Sequence, residues 1–240
     1  MINKFRELFK IEKPIIGMIH LAGDNSKEIR KRALEELTIY EQEGVDGAII
    51  EDYHGPAEEI FETLKLASKR NLNIILGVND LRNPYADFYA KSLGAKFIQF
   101  DSVQNKDLHI ELYNNYRKKY PDLIVLGGIR FKYTQSTGNS LEQDLEEGKL
   151  NCDAIVTTGR GTGIETPLEK LKQFKDYIKE FSLIVGAGVT LYNVLKQLKI
   201  ADGAIVGSYF KPSGNTNSPV DREKVREFMY VVKEIRNSKK

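Results

Sequence analysis

His20, Glu51, Asn79 and Asp101 place an imidazole, two carboxyls and an amide at or just past the ends of short apolar runs. Brought to one mouth, such a set has two uses. It can pass protons, which makes these four residues the catalytic candidates. Its oxygens can also hold a divalent cation such as Mg²⁺ or Mn²⁺, with Glu51 and Asp101 as the ligand candidates. Zinc suits it less: the chain has 3 histidines, and His109 falls in a helical stretch, leaving His20 and His54. Alternate residues of a strand face opposite ways. One of Glu51 and Asp52, and one of Asn79 and Asp80, therefore faces the mouth.

Glycines mark a second kind of chemistry. The runs IVGAGVT (184–190) and AIVGSYFK (204–211) each stop at glycine before a helical stretch. Backbone N–H groups approach an anion where no side chain intervenes, so Gly186, Gly188, Gly207 and Ser208 read as a cup for a phosphorylated small molecule. Thr190 is expected to cap the next helix and Lys211 to add charge. The run TTGRGTG (157–163) reads as a mobile lid, with Thr158, Arg160 and Gly161 contributing to phosphate or substrate binding. It is neither a P-loop nor a dinucleotide fingerprint. Arg130 and Lys132 flank Phe131, and either cation can reach the mouth. Imine chemistry is not expected, because the sixth run offers no lysine at its end, and no serine-hydrolase elbow is present.

These residues need a frame that gathers strand ends, and the chain supplies one. Eight β-rich runs occur at 14–21, 47–54, 73–79, 96–101, 123–131, 153–159, 183–188 and 203–210. Between them lie amphipathic stretches at 26–44, 56–70, 108–120, 168–181 and 221–236; Ile29, Ala33, Leu37 and Tyr40 share one stripe of the first. The near-copies VDGAII (45–50) and ADGAIV (201–206), with CDAIV (152–156), are the tight turns that feed buried parallel strands. A single (β/α)₈ barrel over 12–236 follows, in preference to a doubly wound open sheet. Residues 1–11, with Ile2, Phe5, Leu8 and Phe9 at helical spacing, are expected to form a capping helix; the alternative is a dimer or membrane-surface contact. Residues 237–240 make a basic tail, and the basic end from Arg236 on reads as solvated.

Composition narrows the class. With 36 basic and 34 acidic residues spread along 240, no nucleic-acid groove is expected. Cys152 is the single cysteine, so no internal disulfide forms; it lies at the wrong strand end for a nucleophile. No run is long enough to insert into a membrane, which points to the cytoplasm.

The ordered stretches KPIIGMIHL (13–21), EGVDGAIIED (43–52), GVNDLRN (77–83), GAKFIQFD (94–101), AIVTTGRGTG (154–163), VGAGVT (185–190) and ADGAIVGSYFKPSGNTNSPVD (201–221) resemble the BtpA family. That family includes the SgcQ-type proteins of bacterial sugar operons and is similar in fold to the ribulose-phosphate-binding barrels. The resemblance spans about Lys13 to Phe228 and departs from the family pattern at Asp52 and at Gly128-Ile129-Arg130. It implies that His20, Glu51, Asn79 and Arg82 belong to the site. Two contexts attach to the family, photosystem I biogenesis and sugar metabolism. The expectation is thus a cytosolic enzyme of lyase or isomerase type acting on a phosphorylated sugar or similar metabolite. The alternatives are a non-catalytic factor for a membrane complex, with peripheral membrane association, and a barrel that senses a phosphometabolite. A homo-oligomer is the default for a cytosolic barrel.

Overall fold

Period-two alternation sorts the side chains of the eight apolar runs onto two faces, and closing the sheet turns one face into a barrel interior. The structure is a computed structural model that describes residues 3–238. In chain order the elements are α1 (Lys4–Phe9), β1 (Ile15–Ile19), α2 (Ser26–Glu43), β2 (Gly47–Glu51), α3 (Glu58–Ala67) and β3 (Ile75–Asn79). A 3₁₀ helix (Ala86–Leu93), β4 (Phe97–Phe100), α4 (Ile110–Lys119), β5 (Ile124–Gly128), α5 (Leu141–Asn151) and β6 (Ala154–Thr158) follow. The chain ends with α6 (Leu168–Ile178), β7 (Leu183–Gly186), α7 (Val194–Leu198), β8 (Gly203–Val206) and α8 (Arg222–Asn237). Neighbouring strands pair in parallel around a closed ring, and β8 returns to β1 through Ile16↔Ile205. The barrel expectation holds, and the open sheet is excluded.

Two cores result. Inside the barrel, Ile16, Met18, Ile49, Phe97, Leu126, Val156, Ile184 and Ile205 fill the lumen. The second core lies between strands and helices, where Ile15, Ile50, Leu64, Val125 and Phe228 belong to one continuous layer. Phe97 needs its neighbour to be glycine, because a Cβ on Gly77 would lie 2.3 Å from the Phe97 ring.

The N-terminal segment is a floor. Phe5 and Phe9 of α1 are buried in the lumen cluster, with Phe9 5.9 Å from the Phe97 ring centroid. Leu8 packs partly against the same cluster, so this helix spends its apolar side on the barrel rather than on a membrane or partner; Ile2 lies outside the described residues. Arg236 also departs from expectation. It is not solvated but bonds to Asp46 at 2.5 Å and to the Lys13 carbonyl beneath the barrel. Residues 239–240 of the basic tail lie outside the described residues.

Helix ends follow local chemistry where a capping residue is present. Asn25, Ser140 and Asp221 each accept a hydrogen bond from the first turn of α2, α5 and α8. Thr190 does not cap α7, which starts later. Instead Asn193 folds back, accepting from the Thr190 N–H and donating to the Gly188 carbonyl. Among the described residues no helix is long and apolar enough to cross a membrane.

Candidate active site

Every strand of a closed parallel barrel delivers its C-terminal end to one face, so side chains distant in sequence meet there. Glu51 ends β2 pointing inward, and Asn79 ends β3 beside it, in register with it. The Asn79 Nδ2 donates to Glu51 Oε1 at 3.0 Å and to Asp101 Oδ1 at 3.2 Å. Gln99 of β4, two residues before Asp101 and therefore on the same face, donates to that Oδ1 at 3.0 Å. Asp52 and Asp80 face the other way. Asp52 accepts from Arg82 at 2.5 Å and from the Leu81 N–H, and Asp80 accepts from the N–H groups of Arg82 and Asn83. Both acids therefore build the rim loop after β3.

Burial sets the protonation of this cluster. Glu51 is 4% exposed, and loss of hydration together with the Asp101 charge pushes its carboxyl up to about 8. Lys132 and the Asn79 hydrogen bond pull in the other direction without cancelling it. Burial also raises the Asp101 carboxyl, against hydrogen bonds from Gln99 and Asn79 and the Lys132 charge. Asp101 accepts two amide N–H bonds and Glu51 one, so the proton of the pair belongs on Glu51. Asn79 occupies Oε1, which leaves Oε2 to carry that proton. His20 Nε2 lies 4.0 Å from Oε2. Burial first, then the charges of Lys211, His54 and Lys132, hold the His20 imidazole well below its usual range and therefore neutral.

Lys132, just past β5, is the cation that reaches this mouth. Its Nζ donates to Thr162 Oγ1 at 3.0 Å and lies over the rings of Tyr53, Phe131 and Tyr133 at 5.6–5.8 Å. Arg130 turns outward to Asp144 at 2.8 Å.

The glycine loops face this cluster across a cavity of about 50 Å³ lined by His20, Glu51, Gln99, Lys132 and the ends of β6, β7 and β8. Thr158, Gly186, Gly188, Gly207 and Ser208 all line it. A Cβ at Gly207 would sit 3.0 Å from the His20 ring, so glycine there admits the imidazole. Among the described residues, no acceptor takes the N–H of Gly188 or Ser208. Gly188 adopts φ +62°, and a Cβ on it would lie 2.3 Å from the backbone of Ile164 and Glu165. The 159–166 loop therefore rests directly on the cup. Thr162 fastens it: its hydroxyl meets Tyr53 at 3.1 Å and Lys132, and its N–H donates to the Tyr133 hydroxyl at 3.0 Å.

Not every expected site residue comes to this mouth. Arg82 is held on the rim by Asp52 and the Gly55 carbonyl. Arg160 is exposed, and Gly161 is buried under Tyr133 and Ile164; neither lines the cavity, where Thr162 and Gly163 stand instead. Lys211 adds no charge to the cup because it is fully buried against Glu36 at 2.8 Å. Cys152 caps α5, bonded to the Gly148 carbonyl and with its thiol pushed up by burial, as an inert core residue. Gln99, Tyr53 and Thr162 escaped the sequence reading. Gln99 had a signal, a polar residue inside the apolar run KFIQFD, two positions from Asp101.

The donor set does not fit a divalent ion bridging Glu51 and Asp101. The Asn79 amide already places N–H hydrogens between the two carboxyls, where a cation would need oxygens. Among the described residues, no group of three or more His, Cys, Asp and Glu side chains is arranged to hold a metal.

A family model described as the BtpA family matches residues 11–234. This chain belongs to the BtpA family. It is 30% identical to an uncharacterised protein of Pyrococcus furiosus, covering 90% of this chain and 93% of that one. It is 28% identical to the photosystem I biogenesis protein BtpA of Synechocystis sp., covering 97% of this chain and 92% of that protein. Among solved structures, thiamine phosphate pyrophosphorylase from Pyrococcus furiosus superposes with a TM-score of 0.65 at 19% identity, covering 95% of this chain and 98% of that chain. Phosphoribosyl anthranilate isomerase from Thermococcus kodakaraensis gives 0.60 at 18% identity, covering 92% and 99%. At these identities the structural likenesses establish the barrel fold of this BtpA-family chain.

Proposed function

We propose that this BtpA-family barrel is a metabolic enzyme acting on a phosphorylated sugar or similar small phosphorylated metabolite, by acid–base chemistry of lyase or isomerase type. The observation that carries the reading is Glu51, a buried carboxyl held protonated near neutral pH beside Lys132 and opposite two glycine loops. The phosphate rests on the N–H groups of Gly188 and Ser208 and on the Ser208 hydroxyl. Glu51 gives its Oε2 proton to the carbonyl or leaving-group oxygen. The Lys132 ammonium stabilises the charge that develops there. Asp101 takes the proton released from the substrate. In an isomerisation the return transfers restore both groups, and in an elimination the proton on Asp101 passes back to Glu51 through solvent before the next turnover. The names of the two solved neighbours, both enzymes of phosphorylated compounds, favour the same class.

The cavity beneath the lid holds about 50 Å³, against roughly 300–1,000 Å³ for small-molecule sites. Substrate entry therefore releases Thr162 from Tyr53 and Lys132, and closure excludes water. A non-catalytic role in assembling a membrane complex draws on the name of the Synechocystis relative. It loses the surface expected to serve it, since Phe5 and Phe9 of α1 are inside the barrel.

The test is a thermal-shift screen against phosphorylated sugars and inorganic phosphate, followed by turnover assays on the compounds that bind. Glu51→Gln is expected to bind but to turn over about 10²–10⁴-fold more slowly. Full activity in both Glu51→Gln and His20→Ala would sink the assignment.

A further inference from the structure

Gln99 is placed where a hydrogen-bond acceptor has nothing to accept. It is 3% exposed and lines the cavity, its Nε2 is committed to Asp101, and its buried Oε1 has no partner among the described residues. An amide oxygen left unpaired away from water costs about 1–3 kcal/mol, so such a group in a ligand cavity calls for a ligand donor. The mouth is also polarised. Donors stand on the β5–β8 side, where Lys132 Nζ and the Gly188 and Ser208 N–H groups point to an anion. Acceptors stand on the β2–β4 side, as Gln99 Oε1 and the Asp101 carboxyl. On the far side of Asn79 and Asp101 a separate cavity of about 170 Å³ is lined by Tyr85, Ser102 and Asp107.

We propose that Gln99 determines substrate class, selecting a polyhydroxylated phosphate whose hydroxyl donates to its Oε1 while the phosphate occupies the glycine cup. This rests on the phosphate reading above and narrows it. A phosphate ester without a hydroxyl on that side fills the cup yet leaves Gln99 unpaired. Sites built to bond a substrate hydroxyl discriminate strongly against analogues that lack it.

The test is calorimetric titration of the full chain with inorganic phosphate, pentyl phosphate and ribitol 5-phosphate, repeated for Gln99→Leu and Gln99→Met. Wild type should bind ribitol 5-phosphate at least about 10-fold more tightly than pentyl phosphate. In either variant the two esters should come within about 3-fold of each other, with inorganic phosphate unchanged. Two apolar replacements guard against one that misfolds, and the wild-type comparison needs neither. Equal binding of the two esters by wild type, or a preference that survives both substitutions, overturns the role of Gln99. Failure of every compound, inorganic phosphate included, overturns the cup itself and the proposed function with it.

Discussion

Glu51 separates what a carboxyl does in water from what it does here. Its raised value means that the folded protein keeps a proton between pH 4.5 and about 8 that the unfolded chain releases. The folded state thus binds more protons in that window, and stability falls as pH rises through it, by a few kcal/mol in all, about 1.4 per unit. Glu51→Gln has no such proton. Its melting temperature relative to wild type should rise from pH 5 to pH 9, and parallel melting curves for the two proteins would refute the assignment. The same proton governs turnover: kcat/KM should decline above pH 8, because the acid form is lost. A rate that climbs through pH 8 would make Glu51 a base instead. At this scale much was legible. Strand ends point to His20, Asp101 and one of each pair Glu51/Asp52 and Asn79/Asp80, and the family resemblance selects Glu51 and Asn79. The structure sets Asn79 within bonding distance of Glu51 and Asp101, with His20 4.0 Å from Glu51. The cations Arg82 and Lys211 misled, because sequence shows a charge but not the carboxylate that captures it, here Asp52 and Glu36.

The 159–166 loop packs on Gly188, and under the proposed function it is the element on which access depends. The three glycines of 157–163 suggest a lid from sequence but do not reveal the residue that fastens the loop. That residue is Thr162, whose three partners come from two other segments, Tyr53 past β2 and Lys132 and Tyr133 past β5. Thr162→Val removes the hydroxyl that these groups share, each bond contributing about 0.5–1.5 kcal/mol. Hydrogen exchange and proteolysis across the loop should then speed up by about 10-fold, with the melting temperature little changed. Unchanged exchange would mean that the loop is held elsewhere. Gly188→Ala probes the other side of the same contact. A Cβ there would meet the Ile164 and Glu165 backbone, and the residue sits at φ +62°. A loss of about 1–3 kcal/mol in urea denaturation is expected. This variant moves the lid as well as the cup, so it cannot serve alone as a probe of phosphate binding.

The barrel as a whole divides its work between its ends. Phe9 and Phe5 close the bottom, while polar groups crowd the top. Phe9→Ala should cost about 3–5 kcal/mol of stability and leave phosphate affinity at the opposite face unaltered. Loss of that affinity in a folded variant would show that the two ends are coupled. The global fold was the most legible level, because eight runs, tight Asp-Gly turns and amphipathic spacers all state the same period. The 3₁₀ helix at Ala86–Leu93 and the short α7 were not, since neither spans enough turns to build a clear apolar stripe. What the barrel achieves is a carboxyl carried out of water at the convergence of its strands, and that carboxyl can be titrated directly. Carbon-13 NMR of glutamate-labelled protein, with Glu51 assigned by its absence in Glu51→Gln, should give a midpoint near 8. A midpoint at the ordinary value of 4.5 would contradict the account, leaving a cup for phosphate with no acid beside it.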